Sequence, residues 1–134
     1  MRTILLAALA MALTGCTATA PPPTSVEQAD GLARAALGQT VGVGGPKVTP
    51  LGVLEDSRCP MNARCVWAGR VRLSVRVDLG RGSQVLELTQ GQPRPVADGT
   101  LELVEVQPDR VAGEKGLTIA PADYRFAFRF MGGL

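Results

Sequence analysis

Two stretches of the chain alternate strictly between apolar and polar residues. The first, residues 70–79, has aliphatic side chains at the odd positions and mainly charged side chains at the even ones. The second, residues 124–130, sets Tyr124 and three phenylalanines against two arginines and an alanine. Successive side chains of a strand point to opposite faces, so each stretch predicts a strand with one buried face.

Four further segments carry weaker strand patterns, and they are residues 40–43, 47–55, 84–89 and 101–106. The second contains Pro50, which favours a position near a sheet edge. The third should form a hairpin with the strand before it through the turn Gly80-Arg81-Gly82. In the fourth the apolar positions change phase, which predicts a β-bulge near Leu103 and Val104.

The remaining segments predict one short helix and two long loops. Ser25 and Gln28 have the spacing of a capping box, so a helix is expected over residues 26–38, ending at Gly38. Residues 91–99 and 108–121 are rich in turn-forming residues and are expected to be loops. The predicted fold is therefore all-β and mainly antiparallel, a small sandwich or barrel of about six strands.

The first fifteen residues have the features of a targeting segment. Arg2 precedes an apolar run over residues 4–13, which is shorter than the roughly 20 residues that a membrane-spanning helix needs. The ending Leu13-Thr14-Gly15-Cys16 resembles the lipobox of bacterial lipoproteins. The alternative is an ordinary signal peptide that ends near a cysteine.

The lipobox resemblance implies cleavage before Cys16 and attachment of lipid to its thiol, so that the protein meets the membrane through this anchor. Residues 1–15 would then be the signal peptide and residues 16–25 a proline-rich tether, followed by a single domain over residues 26–134. Thr17 at the second mature position implies, for a Gram-negative cell, an outer-membrane lipoprotein that faces the periplasm.

Composition supports a globular domain and removes several classes of function. The chain is 46% hydrophobic and 19% charged, and its sixteen glycines and ten prolines favour short strands joined by turns. A net charge of +2 is too small to indicate nucleic-acid binding. The chain contains no histidine, which excludes histidine-based triads and histidine metal sites. No cofactor and no metal site are predicted.

The three cysteines are accounted for if Cys16 carries lipid, because Cys59 and Cys65 then remain as a single pair. We expect them to form a structural disulfide that closes the seven-residue segment 59–65, called the stapled loop below. Trp67 continues the phase of the buried positions in residues 71–79, so it is expected to be buried beside the disulfide, together with the row Phe126, Phe128 and Phe130.

The segment DSRCP, followed by Cys65 and then WAG, resembles a recurring signature in small exported bacterial proteins. The match covers residues 54–77, including the spacing of the cysteines. The resemblance implies a shared fold, but it brings no activity, ligand or catalytic residue to this chain.

The stapled loop is the candidate functional element. A rigid, exposed loop lowers the entropic cost of binding, which predicts recognition through Arg58, Pro60, Met61, Asn62 and Arg64. Three other roles remain open: a redox disulfide, a Cu(I) site that includes Met61, and protease inhibition with Arg58 or Arg64 at the contact bond. A redox pair is more often CxxC at the start of a helix, and the copper site lacks ligands.

Two groups of charged residues were also considered. Four arginines on outward faces would form a basic stripe if their strands were neighbours: Arg72, Arg76, Arg125 and Arg129. Such a stripe could bind an anionic surface, or it could simply be a solvated face of the sheet. Two pairs of carboxylates are close in sequence, and acid–base chemistry would need such a pair to meet across a cleft. These pairs are Glu55 with Asp56 and Glu102 with Glu105.

The expected function follows from these observations. The chain is predicted to be a non-catalytic envelope lipoprotein that binds or supports an envelope protein or polysaccharide, with no catalytic residue. The alternatives are a hydrolytic enzyme of unfamiliar class that uses carboxylates such as Glu55 and Asp56, or an inhibitor-like stapled loop.

Overall fold

The computed structural model describes residue 15 and residues 30–113 and 118–132. Within this part of the chain, eight strands form two antiparallel sheets of four strands each. The strands are β1 (Ala33–Ala35), β2 (Val41–Gly42), β3 (Lys47–Asp56), β4 (Val71–Asp78), β5 (Ser83–Thr89), β6 (Arg94–Val96), β7 (Gly99–Gln107) and β8 (Arg125–Gly132). A 3-10 helix over Pro121–Asp123 precedes β8.

The two sheets have the strand orders β1-β8-β7-β6 and β2-β3-β4-β5. Their inner faces contribute one common hydrophobic core, so the molecule is a β-sandwich and the predicted all-β class is confirmed. The predicted leader, the predicted lipidation site Cys16 and the predicted tether 16–25 lie outside the described residues, apart from Gly15. Within the described ranges, no helix is long and apolar enough to cross a bilayer.

The two alternating stretches form β4 and β8 and carry the centre of the core. Val71, Leu73, Val75 and Val77 of β4 are fully buried, as their common phase predicts. Leu79 was expected to continue this row, but it lies after the end of β4 and is exposed.

In β8, Phe126 and Phe128 are fully buried, while Phe130 is only partly buried. Tyr124, just before β8, stacks on Phe126 with ring centroids 5.5 Å apart. The predicted aromatic row is therefore confirmed for its first two phenylalanines and holds in part for Phe130.

The predicted bulge in β7 is present, because the pairing with β8 shifts register between Leu103 and Glu105. Leu101, Leu103 and Val106 are buried, whereas Val104 at the shift is only partly covered. The extra residue changes the phase of the strand, so apolar positions on both sides of it reach the same core.

The predicted hairpin between β4 and β5 is also confirmed, with Asp78 paired to Ser83 and Gly80 in the left-handed region at φ +81°. The prediction of a loop over residues 91–99 was wrong in part, because β6 lies within it. This three-residue strand pairs with the start of β7 at the edge of its sheet, where the missing N–H of Pro95 is tolerated.

The helix prediction is wrong for the described residues 30–38, which contain the short strand β1 and no helix. Ala33 and Ala35 are buried and pair with β8 as β1, while residues 26–29, with the cap glutamine, lie outside the described residues, as does Ser25. Pairing with the open edge of β8 outweighs the helix propensity of the alanines and leucines in this segment. Arg34, between the two alanines, makes ion pairs with Asp30 and Glu105.

The condition for a basic stripe is not met, because β4 and β8 belong to different sheets. Arg72 instead makes ion pairs with Glu87 and Glu55, and Arg129 makes one with Glu102. These arginines are part of mixed-charge sheet faces. The expected edge position of Pro50 agrees with the pairing of β2, which covers β3 only at its first two residues.

Candidate functional site

The stapled loop lies between β3 and β4 at one end of the sandwich. The Sγ atoms of Cys59 and Cys65 are 2.15 Å apart, at disulfide distance, and the two Cα atoms are 5.9 Å apart. The expected pairing of these cysteines is therefore confirmed. The pair closes a loop whose ends already converge, because Asp56 at the end of β3 pairs with Val71 at the start of β4.

An ion pair between Asp56 and Arg58 holds the base of the loop. Their side chains are only 8% and 15% exposed, and the guanidinium donates to both carboxylate oxygens at 2.9 and 2.8 Å. Arg58 also donates to the carbonyl oxygens of Val106 and Pro108, at 2.9 and 3.1 Å. The hydroxyl of Tyr124 donates to Asp56 at 2.8 Å. One guanidinium thus ties the loop to the end of β7.

This network changes the ionisation of its members. Burial alone would raise the pKa of Asp56, because it disfavours the charged carboxylate. The hydrogen bonds from Arg58 and Tyr124 outweigh burial and hold the pKa of Asp56 below its usual value. At Tyr124, burial and the bond to Asp56 act in the same direction and raise the pKa of the phenol to about 12.

A second set of hydrogen bonds fixes the stapled loop against residues 108–113, called the support segment below. Met61 N donates to Arg110 O at 2.9 Å. The side-chain amide of Asn62 donates to Ala112 O at 2.7 Å and accepts from Ala112 N at 2.8 Å. Arg110 donates to Arg58 O at 2.7 Å. The stapled loop is therefore held at its base by Arg58 and along one side by the support segment.

Gly69 allows the chain to leave the loop in close contact with its entry. A Cβ atom at this position would lie 1.9 Å from the carbonyl oxygen of Ser57, a distance that no side chain can occupy. Two hydrogen bonds join the entering and leaving segments here. Ser57 N donates to Arg70 O at 2.9 Å, and Arg70 N donates to the Ser57 hydroxyl at 3.1 Å.

Trp67 is not buried, which overturns the prediction made from its phase. Its exposed fraction is 61%, and that of its neighbour Val66 is 97%. Residues 57–70 are not in a strand, so the alternation of β4 does not extend back to position 67. The indole therefore lies outside the core formed by Phe126 and Phe128.

Four apolar side chains at this end of the sandwich are largely exposed, and together they are called the apolar tip below. They are Met61 in the stapled loop at 72%, Val66 and Trp67 directly after it, and Val111 in the support segment at 56%. A cluster of this kind at the end of a rigid scaffold is typical of a contact surface.

The residues predicted for recognition divide into two groups. Arg58, Asn62 and the buried Pro60 hold the loop in place. Met61 and Arg64 are exposed and available for contact. Sequence reasoning missed three residues of the apolar tip, Val66, Trp67 and Val111. The adjacent pair Val66-Trp67 was a usable signal, because two consecutive bulky apolar residues break the alternation of a half-buried strand.

Carboxylate chemistry finds little support at Glu55 and Asp56. The pKa of Glu55 is held below its usual value, chiefly by the hydrogen bond from Arg70, and that of Asp56 is lowered as described. A carboxyl group acting as a general acid near neutral pH needs a raised pKa. Asp56 does line a cleft of about 570 Å³ along β3, but both of its oxygens are occupied by Arg58 and Tyr124.

Metal and redox chemistry also gain no geometric support. Among the described side chains, no group of three or more cysteine, aspartate or glutamate residues is placed to hold a metal ion. Cys59 and Cys65 lie in an irregular loop rather than at the start of a helix, where the dipole would lower a thiol pKa.

Replacing both Cys59 and Cys65 with serine should lower the free energy of unfolding by roughly 2 kcal/mol, because the unfolded chain regains the entropy of the open loop. The hydrogen bonds of Met61 and Asn62 to the support segment should preserve the native fold. Urea unfolding followed by circular dichroism measures the difference. A double variant as stable as the wild type contradicts a structural role for the disulfide.

Tyr124→Phe should remove an alkaline loss of stability. Because the folded pKa of Tyr124 is raised to about 12, its contribution is present below the unfolded value near 10 and declines as pH rises from 10 towards 12. The variant should be about 1.5 kcal/mol less stable at pH 7, since a buried carboxylate loses a hydrogen bond. Parallel declines of the two proteins between pH 9.5 and 11.5 would contradict this account.

Comparison with known proteins adds no functional assignment. No family model, no curated protein and no solved structure matches this chain. The functional argument therefore rests on the geometry of the stapled loop, the support segment and the apolar tip.

Proposed function

We propose that the protein is a non-catalytic lipoprotein of the bacterial envelope that binds another envelope component through the apolar tip. Lipid on Cys16 anchors it, as the lipobox LTGC implies, on the outer membrane facing the periplasm. The domain is the binding module, and the residues before Asp30 connect it to the anchor.

The exposure of Trp67 is the observation that carries this proposal. In a core so poor in aromatic residues, burying the chain's one tryptophan would add apolar area to the fold. The structure instead leaves Trp67 and Val66 in solvent, at the end of a loop held by a disulfide and a buried ion pair. Exposed apolar side chains in a fixed geometry lose little entropy on binding.

The tethered location supports the same role. A protein fixed to a membrane meets its partners at a high effective concentration, so a small contact surface is sufficient for binding. A partner could be a protein or a polysaccharide of the envelope, and the contact would be made without any chemical step. The ion-paired carboxylates Glu55 and Asp56 are consistent with a module that binds rather than catalyses.

Photocrosslinking in the native envelope tests the proposal. A photoreactive amino acid at Met61 should give an adduct, whereas the same residue at Val85, which is 65% exposed on β5, should give none. Introducing Trp67→Ala together with Val66→Ser should abolish the Met61 adduct while the domain stays folded. Equal adducts at Met61 and Val85, or an adduct that survives the double substitution, would exclude the apolar tip as the contact.

One observation supports protease inhibition as a second function. Arg64 is exposed in a loop closed by a disulfide, a geometry that can present an arginine to a trypsin-like protease. Arg58 does not share this property, because its guanidinium is tied to Asp56 and to two carbonyl groups. Inhibition of trypsin by the intact domain, lost in Arg64→Ala, would support this second function.

A further inference from the structure

The apolar tip combines exposed apolar side chains with a neighbouring positive charge, and we infer that it inserts into the surface of a lipid bilayer that carries anionic headgroups. This inference rests on the proposed function, since it names the partner that the apolar tip contacts. Four observations support it: the internal hydrogen bonds of the loop, the charge around the apolar tip, the small size of the apolar tip and the length of the tether.

The polar groups around the apolar tip are largely satisfied inside the protein. Met61 N donates to Arg110 O, and Ala63 N donates to Pro60 O. The amide of Asn62 both donates to and accepts from Ala112. A loop bonded in this way loses little when it leaves water, because unsatisfied polar groups are what makes entry into lipid costly.

The charge around the apolar tip is positive or neutral. The segment from Cys59 to Trp67 contains no carboxylate, and its one charged side chain, Arg64, is exposed. In the support segment, Asp109 is followed directly by Arg110. Arginine next to exposed apolar residues suits a bilayer with anionic headgroups, and tryptophan favours the interface between lipid and water.

The size of the apolar tip favours lipid over a protein partner. A stable protein interface uses roughly 20 to 30 residues on each side. The apolar tip has four side chains, and residues around it such as Arg58 and Asn62 are already engaged with the domain. Insertion into a bilayer surface needs only a few apolar side chains, because its strength follows the apolar area that enters the lipid and the attraction to anionic headgroups.

The tether permits this contact. β1 pairs antiparallel with β8 and so runs towards the end of the sandwich where β8 begins. The stapled loop lies at that same end, because Asp56 at its base contacts Tyr124 just before β8. β1 begins opposite Phe128, the fourth residue of β8, so its start lies about 10 Å from the end of the sandwich that carries the stapled loop. Residues 17–29 can span about 45 Å when extended, so the tip can reach the membrane that holds Cys16.

The emission of Trp67 gives a direct test, because it is the chain's one tryptophan. The experiment uses the chain from residue 17 onward without lipid, since the described contacts lie within residues 30–132. Vesicles of phosphatidylcholine, with or without phosphatidylglycerol, are the probe. With phosphatidylglycerol present we expect a blue shift of the emission and its quenching by brominated phospholipid. In vesicles of phosphatidylcholine alone, both effects should be smaller.

Variants identify the inserting residues. Val66→Ser should weaken partition about tenfold or more, the effect of losing the burial of one valine side chain. Arg64→Ser should weaken it about fivefold towards anionic vesicles and little towards neutral ones. Val85→Ser, which changes a valine that is 65% exposed on β5, should leave partition unchanged.

The outcomes separate this inference from the proposed function. Emission unchanged by every vesicle composition overturns the lipid assignment. If the envelope crosslink at Met61 then identifies a protein, the proposed function stands with a protein as the partner. Partition that is the same in Val66→Ser as in the wild type would place insertion elsewhere on the domain and would also overturn the inference.

Discussion

Gly69→Ala should lower the free energy of unfolding by at least about 3 kcal/mol, the largest effect expected from one added methyl group among the described glycines. The added Cβ would lie 1.9 Å from the carbonyl oxygen of Ser57 and 2.5 Å from the Cα of Arg58. Both atoms are backbone, so no side-chain rotation can relieve the contact. The chain leaving the loop would have to separate from the chain entering it.

The matched control for this substitution is Gly82→Ala in the turn between β4 and β5. A Cβ at Gly82 meets no atom within 4 Å, and its backbone is outside the left-handed region. We expect a change below about 0.5 kcal/mol there. Urea unfolding of both variants gives the comparison. Equal and small effects at the two positions would show that the close approach of residues 57 and 69 is not required.

Arg58→Met should cost about 3 kcal/mol, because the carboxylate of Asp56 then remains buried without its ion partner. The carbonyl groups of Val106 and Pro108 also lose their donor, which weakens the attachment of the loop to β7. Arg76→Met is the control, since Arg76 and its ion partner Asp78 are 45% and 36% exposed. Such pairs contribute less than about 1 kcal/mol.

The pH dependence of the Arg58 effect provides a second check. Because the folded pKa of Asp56 is lowered, its contribution is present above the unfolded value near 3.9 and is lost as pH falls through the folded value. The difference in stability between the wild type and Arg58→Met should therefore shrink below pH 4. A difference that stays constant from pH 7 to pH 3 would assign the effect to packing rather than to the ion pair.

Strands with one buried face were predictable from the sequence, because alternation is a local signal. The burial of Leu73 and Val75 in β4 and of Phe128 in β8 follows from period and residue type alone. The bulge in β7 was also readable, since the change of apolar phase at Leu103 has one simple structural solution. The disulfide followed from counting cysteines.

The parts that were mispredicted depend on distant contacts. The segment around Ala33 becomes a strand because β8 has an open edge, which no local pattern reveals. Trp67 was assigned to the core because it shares the phase of Val71, yet β4 begins only at Val71 and residues 57–70 are not in a strand, so that phase does not extend back to position 67. The support segment was unpredictable, because its role is to exchange hydrogen bonds with a loop about 50 residues away.

The residues of the DSRCP signature have different roles in the structure. Asp56, Arg58 and Gly69 hold the chain in place, and the two cysteines close the loop. Trp67 belongs to the same signature, but it makes no comparable contribution to the fold, because most of its surface lies in solvent. A large apolar side chain that is kept out of the core points to binding as its role.

The unfolding free energy of Trp67→Ala tests this central claim most directly. A tryptophan that packs in a core costs about 3 to 5 kcal/mol when truncated to alanine. The exposed indole predicts a loss below about 1 kcal/mol, measured by urea unfolding with circular dichroism as the probe. A loss of 3 kcal/mol or more would place Trp67 in the fold and contradict its assignment to a contact surface.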